Sequence, residues 1–322
     1  MAAKPLAAFL DFATLGPGVN TSALDALVTA RYHDGSDLFE VGSRLADCEI
    51  AILNKTKISG DVIRASKRLK LITLSATGTD NVDVTTAKQC GVAVANIRDY
   101  CSTSLSQHVF ALVLGLTQQI AGYSALVRAG AWAQSPTFAL FDYKIRELTG
   151  LTLGIVGWGS LGQAVARLGD AFGMRVLVAA RLGTARGEVP PDRVHFDDLL
   201  EQVDVLTLHC PLNATTKHMI SAPQLQRMKR DALLINTARG GLIDSEALVH
   251  ALRTGEIGGA GIDVLQGEPP PADQPLLAAD IPNLIVTPHV AWAAQESRQR
   301  ALDQVTENIA AFLTGQRLRR IV

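Results

Sequence analysis

The sequence predicts an α/β protein made of two doubly wound, parallel-sheet domains, the first of them discontinuous. Three observations carry that reading. Short apolar runs alternate with helical patterns over the first hundred residues. The alternation restarts at Leu151 with strand, glycine turn and helix, so two Rossmann-like units follow one another. A helical stretch, Gln295 to Leu313, follows the last strand and is read as returning to the first domain.

Size and composition agree with this. A chain of 322 residues is long for a single core. Its 48% hydrophobic content fits a soluble α/β protein. A formal net charge of −1 points neither to nucleic acid nor to an anionic membrane partner. Cys48, Cys90, Cys101 and Cys210 lack CxxC spacing. They read as reduced intracellular thiols, with neither a disulfide frame nor a metal site. Asp11 interrupts the first apolar run too early for a signal peptide, and Val109 to Leu116 is too short to span a bilayer. The expected location is the cytoplasm.

Taken in order, Leu6 to Leu10, Ile50 to Leu53, Leu71 to Leu74 and Val92 to Ala95 read as buried parallel strands. Thr21 to Ala30, Asp61 to Ser66 and Val82 to Gln89 read as the helices between them. The turn Ser75-Ala76-Thr77-Gly78-Thr79-Asp80 has two readings, an anion nest for a carboxylate or a plain loop with a glycine kink. A long helix is expected from Ser102 to about Tyr123, with Leu105, Val109, Leu112, Val113 and Leu116 buried and His108 as a structural histidine. The irregular segment Arg128 to Glu147 carries Trp132, Phe138, Phe141 and Tyr143. Such a segment either covers a second subunit or folds back on its own domain.

The stretch from Leu151 to Met174 organises the second half. A short apolar run, Leu153 to Val156, opens into Gly157-Trp158-Gly159-Ser160-Leu161-Gly162, and helical spacing follows. Gly157 permits the turn, Gly159 lets backbone approach a pyrophosphate, and Gly162 lets helix and strand pack closely. The free N–H groups at the helix start, at Ser160 and Leu161, then hold the anion. Glycine turns also occur in ordinary strand–helix corners, but here both flanking elements are present. Further strands are read at Arg175 to Ala179, Asp204 to Leu208, Ala232 to Asn236, Gly259 to Asp263 and Leu284 to Val286. Helices are read at Phe196 to Gln202, Pro223 to Met228 and Ser245 to Arg253.

Three polar residues follow strands of this second half: Arg239, Glu268 and His289. Each alone is more often a surface loop residue. Together they supply an electrophile clamp, a carboxylate and a titrating base at one sheet edge. Hydride exchange with a 2-oxo acid needs that set. Arg239 would hold the substrate carboxylate and polarise the carbonyl. His289 would donate a proton to the C2 oxygen, and Glu268 would bond the other ring nitrogen, fix the tautomer and favour the imidazolium. No metal is required.

These residues, with Ser75 to Asp83, Asn236 to Asp244, Gly261-Ile262-Asp263-Val264 and Thr287-Pro288-His289, make the chain resemble the D-isomer-specific 2-hydroxyacid dehydrogenases over essentially its whole length. The resemblance implies the same roles for the trio. It places Asp263 and Thr237-Ala238-Arg239 near the nicotinamide, Cys210, Pro211 and Thr216 along the cofactor, and Ala76, Thr77 and Gly78 on the substrate carboxylate. It further implies a flavodoxin-like substrate-binding domain of residues 1–101 with 292–322, and a dinucleotide-binding domain of residues 102–291 that carries the dimerisation segment of a homodimer. Within the family the chain is most similar to glycerate dehydrogenases, also called hydroxypyruvate or glyoxylate reductases. Asn96 to Cys101, Asp142 to Leu148 and His289 to Ala293 carry that likeness. The expected reaction is reduction of glyoxylate or hydroxypyruvate to glycolate or D-glycerate. Trp292 then either walls the substrate's C3 side or packs elsewhere.

One departure from the family pattern bears on the cofactor. The second strand of the glycine unit ends Val178-Ala179-Ala180-Arg181, with Ala180 where NAD-type members carry an acid. NADP(H) is therefore expected over NAD(H), with Arg181 on the 2′-phosphate and Arg186 or Thr184 as further contacts. Two alternatives stand beside this reading. One is a related dehydrogenase of another small acid, though a formate-type enzyme would carry Gln in place of Glu268. The other is a dinucleotide-sensing corepressor, which can retain the trio but has no basic patch here to serve it.

Overall fold

A computed structural model describes residues 3–322. The chain forms two compact units, one holding the chain up to Cys101 together with Ala293–Val322, the other Ser102–Trp292. In the first unit the order is β1 (Leu6–Phe9), α1 (Ser22–Leu27), β2 (Thr29–Tyr32), α2 (Leu38–Leu45), β3 (Ile50–Leu53), α3 (Gly60–Ala65), β4 (Leu71–Leu74), α4 (Val84–Gln89) and β5 (Ala93–Ala95). The strands pair in parallel in the order β2-β1-β3-β4-β5, one of the two common doubly wound orders. Every residue of β3 and β4 is buried, as both faces of a parallel sheet require.

Three expectations are corrected in detail. The helix read from Thr21 to Ala30 stops at Leu27, and its last residues belong to β2. That strand is a sheet edge with mostly exposed side chains, so Thr29-Ala30-Arg31-Tyr32 carries no apolar run to betray it. Helix α2 was not anticipated, although Asp37 and Glu40 form a capping box at its start. The long helix from Ser102 breaks into α5 (Ser102–Gln118) and α6 (Ile120–Arg128), because Gln119 takes a left-handed backbone, φ +52°.

The second unit continues with β6 (Thr152–Val156), α7 (Ser160–Ala171), β7 (Arg175–Val178), α8 (Phe196–Gln202), β8 (Val205–Leu208), α9 (Ala222–Arg227), β9 (Leu233–Asn236), α10 (Ser245–Thr254), β10 (Gly259–Ile262) and β11 (Leu284–Val286). Its sheet is parallel throughout, in the order β11-β10-β9-β8-β6-β7. The chain goes from β6 to β7 on one side and then crosses to β8 on the other. Ligands of open α/β sheets bind at the carboxyl ends beside such a switch. One face is packed by α5, whose Val109, Leu112 and Val113 join Leu153, Ile155 and Ile235 in one core. The opposite face has its own core, with Leu199, Leu206, Leu234 and Leu248.

The last helix, α11 (Gln295–Leu313), belongs to the first unit, where Ala301, Leu302, Val305 and Ile309 pack with Phe9, Ile50 and Ile52. The chain end adds an antiparallel partner to β5, with Ile321 N–H donating to Val94 O at 2.7 Å. Among the described residues no single helix is long and apolar enough to cross a membrane.

Candidate active site

Six loops leave the carboxyl edge of the second sheet, and the residues that the sequence assigned to the reaction or the cofactor in this unit lie on them or just beyond. In sheet order they carry His289 after β11, Asp263 and Glu268 after β10, Thr237-Ala238-Arg239 after β9, Cys210-Pro211 and Thr216 after β8, the glycine turn after β6, and Ala180-Arg181 after β7. Five interstrand steps make this row about 24 Å long.

The trio is brought together at one end. His289 Nδ1 lies 2.5 Å from Glu268 Oε2. A carboxylate can only accept there, so Nδ1 carries the proton and Nε2 is left for exchange with a ligand. Glu268 is braced by its other oxygen, which accepts from Leu265 N–H at 2.9 Å. The Arg239 loop lies directly against this one. A Cβ on Gly240 would come within 2.1 Å of the Leu265 carbonyl carbon and 2.4 Å of Gln266 N, so only glycine permits the approach. Asn236 ties the turn by donating to Arg239 O at 2.9 Å and accepting from Ala238 N–H at 3.0 Å. The exposed Arg239 guanidinium makes one hydrogen bond, to Ala238 O, which leaves donors of its fork for an anion.

Asp263 sets the His289 loop. Its carboxylate is buried and accepts from Thr287 Oγ1 at 2.5 Å and from the N–H groups of Val290 and Ala291, both at 2.9 Å. Its carbonyl accepts from His289 N–H at 2.8 Å. These bonds hold His289 at φ +55°, a backbone that side-chain-bearing residues rarely adopt. His108 on α5 closes the network from behind, with Nε2 at 3.0 Å from Thr287 Oγ1 and 3.6 Å from Asp263 Oδ1. The Trp292 indole N–H donates to His289 O at 3.0 Å, which fixes the ring beside this loop.

A family model described as "D-isomer specific 2-hydroxyacid dehydrogenase, NAD binding domain" matches residues 110–291. This chain belongs to that family. It is 47% identical to a glycerate dehydrogenase of Methylorubrum extorquens over 86% of each chain. It is 37% identical to a hydroxypyruvate reductase of Blautia hydrogenotrophica, over 95% of this chain and 96% of the other. Among solved structures, the TT0316 protein of Thermus thermophilus superposes with a TM-score of 0.86 at 33% identity, covering 98% of this chain and all of that one. The protein is therefore an oxidoreductase of the D-2-hydroxyacid dehydrogenase family, with two parallel-sheet α/β domains.

The dehydrogenase's second unit fits a nicotinamide dinucleotide on its own geometry. Gly157 sits at φ +103°, and a Cβ there would come within 2.5 Å of His209 O. A Cβ on Gly162 would come within 2.1 Å of Gly157 O, whereas one on Gly159 would meet nothing. The turn is thus closed on its protein side and open outward at Gly159. Helix α7 begins with no side-chain cap, so N–H groups of its first turn remain for an anion. Further along the row, the buried Thr237 Oγ1 has no hydrogen-bond partner among the described residues.

Other residues expected on the cofactor have structural work. Besides clamping its loop, Asp263 has both carboxylate oxygens already bonded. Thr216 Oγ1 donates to Pro211 O at 2.7 Å and accepts from Asn213 N–H at 2.9 Å, closing the loop after β8. Cys210 packs its sulfur 3.7 Å from Met219 Sδ, and burial pushes its thiol pKa up. At β7, Arg181 is exposed and its side chain has no partner among the described residues. Arg186 does not share its freedom: it pairs with both Asp198 oxygens at 2.5 and 2.6 Å, a pair that a phosphate would have to displace. Sequence reasoning missed the Asp263–Thr287–His108 linkage, whose one outward sign is a histidine one residue before the apolar run of α5.

In the first unit, the turn after β4 has its carbonyls pinned. Ala76 O accepts from Ile97 N–H at 3.2 Å and Thr77 O from Asn96 Nδ2 at 2.7 Å. The N–H groups of Ala76, Thr77 and Gly78 donate to nothing among the described residues.

Proposed function

We propose that this dehydrogenase reduces small 2-oxo acids of the glyoxylate and hydroxypyruvate class to D-2-hydroxy acids, with NADPH preferred over NADH. The observation that carries the chemistry is the 2.5 Å contact between His289 Nδ1 and Glu268 Oε2. The reduced nicotinamide supplies the hydride when bound. Arg239 grips the substrate carboxylate and draws charge toward the carbonyl oxygen. His289 Nε2 delivers the proton to that oxygen, and Glu268 holds the ring in the required tautomer and orientation. In the oxidative direction the same nitrogen takes the proton back.

Ala76, Thr77 and Gly78 are assigned to substrate binding as a nest of free N–H groups, which makes residues 1–101 with the returning C-terminal segment the substrate-binding domain. Residues 102–291 take the dinucleotide. Trp292, fixed beside His289, keeps the C3 substituent small. Ala180 removes the acid that would repel a 2′-phosphate, and the free Arg181 fork attracts one. A homodimer is proposed over Trp132, Phe138, Phe141 and Ile145, which are 53, 90, 83 and 54% exposed, more apolar surface than a monomer usually leaves in one segment. Light scattering at working concentration would then give twice the chain mass.

The test is a panel of 2-oxo acids followed with NADPH and with NADH. Glyoxylate and hydroxypyruvate should show the highest kcat/KM. A panel led by phenylpyruvate would overturn the substrate assignment, and one with no turnover would favour the corepressor reading.

A further inference from the structure

We infer that Arg193, seated on Trp158, is a second cation for the 2′-phosphate of the dinucleotide and that Asp192 occupies it when no phosphate is bound. The inference rests on the NADPH reading above, and it concerns a residue that neither the glycine motif nor the strand end contains.

Beyond the end of β7, Ala179 bridges Val194, Val194 N–H donates to Val178 O at 2.9 Å, and Ala180 N–H donates to Val194 O at 2.8 Å. Residues 193 and 194 therefore run along the outer flank of β7, the edge strand of the sheet. Trp158 lies on the other flank, in the turn after β6. Yet the Arg193 guanidinium carbon stands 5.4 Å from the centre of the Trp158 ring. The contact between the two side chains therefore spans the carboxyl end of β7, beside Ala180. In this fold the residue at that position reads the ribose 2′ group, as an acid toward a hydroxyl or through a nearby arginine toward a phosphate.

The seat suits a specificity contact. Seating on an indole fixes a guanidinium while leaving its N–H edge free to donate. Arg193 has a side chain 21% exposed, and its ion-pair partner Asp192 is 69% exposed. Arg193 also donates to Asp192 O at 2.9 Å, and a carboxylate this exposed is screened by water, so its hold on the arginine is weak. A phosphate carrying nearly two charges and three acceptor oxygens competes with it on favourable terms. Asp192 would then swing into water. Arg181, the residue after Ala180, is exposed at the same strand end.

The experiment compares binding of ADP-ribose and 2′-phospho-ADP-ribose by calorimetry, without substrate or turnover. Wild type should bind the phosphorylated ligand more tightly. Arg193→Gln should cut that ratio about three- to tenfold, most of it in the phosphorylated ligand's affinity. Trp158→Leu should erode the ratio by a smaller factor, by loosening the arginine. Asp192→Asn should raise the ratio about two- to threefold by removing the competitor. If Arg193→Gln and Asp192→Asn both keep the wild-type ratio while Arg181→Ala lowers it, the inference fails and the NADPH reading survives. A wild type that binds both ligands equally overturns that reading and the inference with it.

Discussion

Around His289 the polar side chains form one connected network, whereas around Ala180 one arginine is exposed with no partner among the described residues and another is held only by its neighbour Asp192 and an indole. At the first end, Glu268, Asp263, Thr287 and His108 form a connected set, and one oxygen of Asp263 lies near three of its donors. At the second end, Arg181 is free and Arg193 is held by an indole and one exposed carboxylate. Both ends belong to one sheet edge and are built on strand ends of the same kind. The difference lies in what each must do. Proton transfer needs a nitrogen held to within a few tenths of an ångström, so its supports are redundant and anchored on the buried Asp263. Choosing between two dinucleotides needs only a charge in reach of a phosphate, and a hydrated arginine suffices.

The largest loss of activity is expected at His289. His289→Ala should lower kcat by about 10²–10⁴-fold, the range of general acid catalysis, with dinucleotide binding little changed. Arg239→Ala should raise KM and lower kcat together, because the same group binds the carboxylate and polarises the carbonyl. Turnover in His289→Ala equal to wild type would end the mechanism. One step back, Asp263→Asn turns a pure acceptor into a group with one acceptor and one donor. The amide then faces N–H groups at Val290 and Ala291 that it cannot both satisfy. An unmet buried donor costs about 1–3 kcal/mol, so kcat should fall about ten- to a hundredfold while the far-ultraviolet spectrum stays that of the wild type. Wild-type kcat in that variant would show that the clamp does not position His289.

Much of this was legible before the fold was known, for identifiable reasons. Ile50-Ala51-Ile52-Leu53 and Leu71-Ile72-Thr73-Leu74 announce themselves because a parallel strand is buried on both faces. Arg239, Glu268 and His289 could be grouped because each follows a strand, and strands of an α/β sheet end on one edge. What stayed hidden depends on partners distant in the chain. The polar edge strand Thr29–Tyr32 takes its conformation from β1, not from its own residues. The kink at Gln119 has no residue signal. Arg186 looked like a free cation until α8 placed Asp198 against it, and Arg193 had no visible claim on the site until its contact with Trp158 was seen.

Between the two ends lies His209, just after β8, whose carbonyl closes on Gly157 and whose Nε2 lies 2.9 Å from Thr207 Oγ1. Burial of the ring lowers its pKa from 6.5 to about 4. Between those values the unfolded chain takes up a proton that the folded chain refuses, so stability falls as pH drops from 6.5 towards 4 and is insensitive to this group above 6.5. Urea midpoints should fall with acid over that window, and His209→Asn should flatten the fall. Parallel slopes in the two proteins would mean that His209 is not the group responsible.

The smallest effects belong to the open end, where the comparison can be sharpened without touching catalysis. Arg181→Ala should raise the KM for NADPH by a few-fold and leave that for NADH almost unchanged, because only the phosphorylated cofactor has an anion in reach. Ala180→Asp restores an acceptor for the ribose hydroxyls and adds repulsion toward a phosphate, so it should move the balance to NADH. Salt separates this end from the other. An exposed arginine–phosphate contact is screened over about 8 Å at physiological ionic strength, so the NADPH preference should shrink as salt rises. The kcat at saturating cofactor should change much less, since the His289–Glu268 contact is short and partly shielded, with side chains 27 and 32% exposed. If salt lowers kcat as steeply as it lowers the cofactor preference, the two ends are not organised differently. A wild-type specificity constant higher with NADH than with NADPH would leave Arg181 as a solvated loop charge and nothing more.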